Sequence, residues 1–194
     1  MKTDATINDE ESLAASQKPA QLSCVEKNYP APKPSGYNQS DIEKIAGLVS
    51  QALGFSSGGE LSPLVSKLGG QIQFLDTEAY LFSGNMARIV ISGPRDFIIY
   101  LHRLGGLFHN RFAIAHELGH YFLHSNMGET KIMATHNESS VLPAEWEATV
   151  FAAALLMPRS EVKRLIHKRL TDYDLSATFS VSPEAVVNWK KMIA

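Results

Sequence analysis

One cysteine, Cys24, is all that this 194-residue chain contains, and a single thiol can make neither an internal disulfide nor a cysteine-based zinc site. A reducing compartment is expected. Neither sign of charge prevails. Lys and Arg number 18 against 20 Asp and Glu, a net charge of −2, so the overall field demands neither nucleic acid nor an acidic membrane as partner. Long apolar runs are missing as well. The longest, around Ala148–Met157, is about half of the roughly 20 residues that a membrane-spanning helix needs. Residues 1–22 mix Lys2, Asp4, Asp9, Glu10, Glu11 and Lys18 with small polar residues and lack the apolar core of an export signal. These absences point to a cytoplasmic chain with no membrane partner. The remainder is 44% hydrophobic and 20% charged, ordinary for a folded protein and enough for one principal domain.

Residues 1–36 are polar, show no sustained periodicity and end in the proline cluster Tyr29-Pro30-Ala31-Pro32-Lys33-Pro34-Ser35-Gly36, which reads as a disordered tail and linker. The folded domain is expected over residues 37–194. Ser40 followed by Glu43 has the spacing of a capping box, and Ile42, Ile45, Ala46, Val49, Ala52 and Leu53 recur at helical intervals. Ser62-Pro63 suits the start of a short second helix ending at Gly69-Gly70. Gln71–Phe74, Arg88–Ile91 and Phe97–Leu101 then read as strands of a small, antiparallel sheet, with Ser92–Asp96 as a turn. Asn110 can cap a helix over Arg111 to about His124, and Pro143 opens another to Leu156. Ser160–Arg169, Asp172–Thr178 and Pro183–Met192 make three further helical stretches.

The helix after Asn110 contains His116-Glu117-Leu118-Gly119-His120, the pattern H-E-x-x-H. Residues four apart share one helical face, so two neutral imidazoles can meet one zinc ion. Glu117 is turned aside far enough to take the proton of a water that the metal activates, and can return it to a leaving amine. A zinc peptidase site with Glu117 as general base is the chemistry this spacing suits. A third ligand must come from elsewhere. No histidine follows at the H-x-x-G-x-x-H spacing, because residue 123 is Leu and residue 126 is Asn. Glu145 and Glu147 stand on the otherwise apolar helix Ala144–Leu156, where unpaired acids are rarely tolerated. Two residues apart, they face different sides. One of them is expected to point at the metal and the other at solvent.

Two blocks, Arg111-Phe112-Ala113-Ile114-Ala115-His116-Glu117-Leu118-Gly119-His120 and Glu145-Trp146-Glu147-Ala148-Thr149-Val150-Phe151-Ala152-Ala153-Ala154-Leu155-Leu156-Met157-Pro158, resemble the ImmA/IrrE family of zinc metallopeptidases. The resemblance spans about residues 41–192. It implies an α+β, zincin-like domain with a small, mostly antiparallel sheet, an active-site helix and a helical C-terminal part, residues 160–194, packed on the rest. It also implies Glu145 as third metal ligand, one Zn²⁺ per chain, and cleavage of a helix-turn-helix repressor as a regulatory switch in a mobile-element, stress or toxin-antitoxin setting. By the same resemblance an edge strand above the active helix pairs with extended substrate, and Phe97–Leu101 is the candidate edge. The chain departs from the family at Thr149, where Asn or Asp is usual, which weakens the expected support for a ligating histidine.

His124 lies one helical turn after His120 and is a candidate to support a ligand or touch substrate, against the plainer reading of a surface histidine. Tyr100 and Tyr121 could each donate to an oxyanion, and spacing selects neither. Arg111 is expected to pair with a structural acid. Residues Leu175–Trp189 resemble a helix-turn-helix, but only Lys190 and Lys191 lie on its second helix, so direct DNA binding is the weaker alternative to a helix pair packed on the domain. A catalytically weak, metal-binding anti-repressor or antitoxin-type protein is the other.

Overall fold

A computed structural model describes residues 29–75, 87–134 and 142–194. The expected tail lies outside the described residues up to residue 28. Helix α1 (Gln39–Leu53) is followed by α2 (Ser62–Lys67), β1 (Gly70–Leu75), β2 (Ala87–Gly93), β3 (Asp96–His102), α3 (Leu107–Gly119), a π-helical turn (His120–His124), β4 (Ile132–Ala134) and α4 (Leu142–Leu156). Three further helices follow: α5 (Arg159–His167), α6 (Asp172–Phe179) and α7 (Pro183–Ile193). The α+β class and the small sheet agree with expectation.

Several boundaries differ for identifiable reasons. Asn38, not Ser40, caps α1 by accepting from the Asp41 N–H, because Glu43 is held elsewhere: Arg159 donates to both its carboxylate oxygens at 2.8 and 2.7 Å. Helix α3 begins at Leu107, capped by Gly106, and Asn110 sits inside it with its amide donating back to the Gly105 carbonyl.

The sheet is mixed, in the order β1-β3-β2-β4. Strand β1 runs parallel to β3, while β2 pairs antiparallel with β3 and with β4. Phe97–Leu101 is therefore an interior strand and not the edge expected of it, its two sides taken by Gly70–Phe74 and by Ala87–Ile91. Among the described residues the edges are β1 and the three-residue β4, an element without a sequence signal of its own. Burial of Ile89, Ile91, Phe97, Ile99 and Leu101 on one side of the sheet makes the surface on which α3 packs.

Helix α4 packs against both α3 and α1. It is apolar around nearly its whole circumference, the pattern of a helix enclosed by neighbours. At the α3–α4 crossing, Gly119 meets Ala148 so closely that a Cβ built on it would lie 2.9 Å from the Ala148 Cα. That approach sets the two motif blocks face to face.

Residues 29–36 carry no helix or strand, yet they are seated on the domain. Pro32 is buried, the Met133 N–H donates to the Pro30 carbonyl at 3.0 Å, and the Tyr29 and Ser92 hydroxyls are 3.2 Å apart.

Candidate metal centre

Three side chains converge where α3 meets α4. His116 Nε2 is 3.1 Å from Glu145 Oε2, His120 Nε2 is 3.3 Å from Glu145 Oε1, and the two Nε2 atoms are 3.2 Å apart. All three groups fit within 4.8 Å of one another. The centre is secluded: His120 is fully buried, His116 is 7% exposed and the Glu145 side chain 15%.

The protons on these rings can be assigned from the hydrogen-bond network. The Thr149 hydroxyl donates to the Glu145 carbonyl at 2.8 Å, so it can only accept from His116 Nδ1, 3.3 Å away. Glu147 accepts from His124 Nε2 at 2.8 Å. Burial above all lowers the pKa of His124, to about 4, against the opposing pull of Glu147, which favours the neutral ring. Its Nδ1 is then a lone pair, which accepts from His120 Nδ1 at 2.9 Å. With neutral rings, both His116 and His120 carry their proton on Nδ1. Two Nε2 lone pairs and a carboxylate thus face each other at 3.1–3.3 Å, an arrangement that repels itself without a cation. Four ligands about 2.0–2.1 Å from a tetrahedral zinc ion stand roughly 3.3–3.4 Å apart. The donor set fits zinc.

Thr149 therefore does supply the acceptor that its substitution for Asn or Asp put in question. Glu147 corrects the expectation more sharply. It is not solvent-facing but 3% exposed, and accepts from the backbone N–H groups of Ser35 and Gly36 at 2.8 and 2.9 Å. Burial alone would raise its pKa, but those donors with His124 hold it below the usual glutamate value. No local sequence signal could have found this, since the donors lie 111 and 112 residues away.

Glu117 is fully buried on α3 and lines, with His116 and Thr149, a cavity of about 390 Å³. Part of the wall is supplied by α7 and its N-cap, through Ser182, Ala185, Asn188, Trp189 and Met192, and Phe108, Phe112, Ala113 and Ala153 make much of the rest apolar. The C-terminal helix pair is packed on the domain: Leu175, Phe179, Val186, Trp189 and Ile193 are buried, and the Trp189 indole donates to the Met157 carbonyl at 2.8 Å. Lys190 is held by Asp172 at 2.6 Å. Tyr121 lies in the core against Phe97, ring centroids 4.4 Å apart. Arg111 binds the Gly59 carbonyl at 2.6 Å and so ties α3 to the loop before α2.

A family model described as the IrrE N-terminal-like domain, a peptidase model, matches residues 68–188. Metallopeptidase ImmA of Bacillus subtilis (strain 168) is 42% identical over 59 residues, which is 29% of this chain and 33% of that protein. The matched stretch thus spans about a third of that relative's length. No helix among the described residues is long and apolar enough to cross a membrane.

Proposed function

Because the chain belongs to the peptidase family of the IrrE N-terminal-like domain, we propose that it is a cytoplasmic zinc-dependent endopeptidase, with His116, His120 and Glu145 as ligands. The observation that carries this reading is the meeting of the His116 and His120 Nε2 atoms with the Glu145 carboxylate beside Glu117 in an open cavity. His116, His120 and Glu145 would hold the ion, which would supply Lewis acidity toward a scissile carbonyl and would lower the pKa of water beside it. Glu117 would take a proton from the attacking water and pass it to the leaving amine. Its neighbours Phe112, Ala113 and Trp189 exclude bulk solvent and seat an apolar part of the substrate.

The substrate we propose is a helix-turn-helix repressor, cut once as a switch. Its support is the pair of motif blocks that resemble the ImmA/IrrE family, a resemblance that implies such a substrate. The rival reading, DNA contact through the C-terminal helices, draws less support from a helix pair whose apolar face is buried in the domain.

The test is bound metal per chain by mass spectrometry on wild type, Glu145→Ala and Glu117→Gln, with turnover of a repressor encoded beside the gene. Near-stoichiometric zinc, lost in Glu145→Ala and kept in Glu117→Gln, with turnover down about 10²–10⁴-fold in Glu117→Gln, is expected. Zinc-free wild type would overturn the reading. Zinc with equal turnover in Glu117→Gln would remove Glu117 from its role.

A further inference from the structure

The ligand His120 is the inner end of a chain of four hydrogen-bonded groups that reaches the segment before α1. His120 Nδ1 donates to His124 Nδ1 at 2.9 Å. His124 Nε2 donates to Glu147 Oε2 at 2.8 Å. Glu147 Oε2 also accepts from the Ser35 N–H at 2.8 Å, and Oε1 from the Gly36 N–H at 2.9 Å. The side chains of His124 and Glu147 are 0% and 4% exposed, so no water competes for these contacts. The π-helical turn at His120–His124 is where the two rings come together, a departure from α-helix that concentrates at functional sites.

We infer that His124 and Glu147 are positioning residues for the ligand His120, and that the seating of residues 29–36 is coupled through them to metal affinity. This rests on the metal-centre reading above and adds to it a second, distant determinant of the site. The coupling follows from donor bookkeeping. Glu147 can only accept, which fixes the proton of His124 on Nε2. That leaves His124 Nδ1 to accept from His120, which keeps the lone pair of His120 Nε2 directed at Glu145 and the metal. Take away the acceptor and His124 can move its proton to Nδ1. Two N–H groups would then oppose each other 2.9 Å apart, and His120 is driven toward the tautomer that cannot ligate.

The two backbone amides hold the Glu147 carboxylate in place. Gly36 has φ +76, a conformation proline cannot adopt, and proline has no N–H to give. Coupling is reciprocal, so metal must also tighten these amides.

The experiment uses the full chain as wild type, Glu147→Met and Gly36→Pro; methionine is close in size to glutamate and offers His124 no oxygen acceptor. Zinc affinity is measured by competition with a chromogenic chelator, and hydrogen exchange at Ser35 and Gly36 is followed with and without zinc. Glu147→Met is expected to weaken zinc binding about 10–100-fold, and Gly36→Pro to weaken it in the same direction. Zinc should slow exchange at both amides in wild type and leave it unchanged in Glu147→Met, a response that a merely structural carboxylate would not give. Wild-type affinity in a folded Glu147→Met overturns the positioning role. If Glu147→Met fails to fold, Gly36→Pro, altered outside the core, carries the test. Wild-type affinity in Gly36→Pro, or exchange indifferent to zinc, overturns the coupling. A wild type that binds no zinc sinks the metal-centre reading itself, an outcome separate from all of these.

Discussion

Gly119 of α3 and Ala148 of α4 touch backbone to backbone, with no room for a side chain on the glycine. On an open helix, Gly→Ala would add about 1 kcal/mol of stability. Here the new Cβ meets Ala148 Cα at 2.9 Å and its carbonyl oxygen at 3.1 Å. Backbone cannot yield as a side-chain tip can, so Gly119→Ala is expected to destabilise by about 1–3 kcal/mol. Spreading of α3 from α4 should also lower metal content, because the proposed ligands His116 and Glu145 stand on opposite sides of that crossing. Gly47, exposed on α1 with nothing near its missing Cβ, is the control: Gly47→Ala should stabilise by roughly 0.5–1 kcal/mol. Urea melts and metal analysis of both variants check the pair.

Thr149 stands between His116 Nδ1 and the Glu145 carbonyl. Thr149→Val keeps the shape and removes the acceptor, so zinc affinity should fall about 10–100-fold with little change in fold. Thr149→Asn offers an amide oxygen to the same Nδ1–H and should keep or raise affinity. If Val and Thr bind zinc equally, the hydroxyl has no part in orienting His116.

Glu43 and Arg159 join α1 to α5 through two hydrogen bonds. Burial would raise the pKa of Glu43, but the Arg159 and Gln39 hydrogen bonds and the charges of Arg159 and Lys163 outweigh it and hold the group below its ordinary 4.5. A depressed folded pKa means stability that is present above the unfolded value and lost as pH falls through the folded one. Wild type should therefore exceed Glu43→Gln by about 1 kcal/mol near neutrality, and the two unfolding curves should converge at pH well under 4.5. A constant difference down to strong acid would show that the charge is not the cause.

Trp189 is 1% exposed and bonded to the Met157 carbonyl. Trp189→Phe leaves that buried carbonyl without its donor, which costs about 1–3 kcal/mol. Trp189→Ala adds a cavity and should cost about 3–5 kcal/mol. Because Trp189 also walls the cavity beside His116, the Phe variant should raise KM for substrate more than it lowers kcat.

The motif helix and the α4 block were legible because helical ligand spacing and an apolar helix bearing two acids are local patterns. Their meeting was legible only through the resemblance, since nothing within either block states where the other lies. Strand order was not legible. Phe97–Leu101 has the composition of any buried strand, and its interior place depends on β1 and β2 arriving from either side. Glu147 was misread for a related reason: an acid on an apolar helix looks solvent-bound until its partners are known, and these are backbone amides of a proline-rich segment that shows no pattern of its own. Likewise, the capping-box spacing of Ser40 and Glu43 yielded to Arg159, a long-range partner stronger than a neutral backbone donor.

Part of the wall of the cavity beside Glu117 comes from α7, residues 183–193, whereas His116, Glu117, His120 and Glu145 have all been made by residue 145. Translation delivers the segments in that order. A chain still on the ribosome can thus bring His116, Glu117, His120 and Glu145 together before this cleft is formed, and folding of α7 becomes the step at which the cavity first acquires a shape against which a bound molecule can be selected.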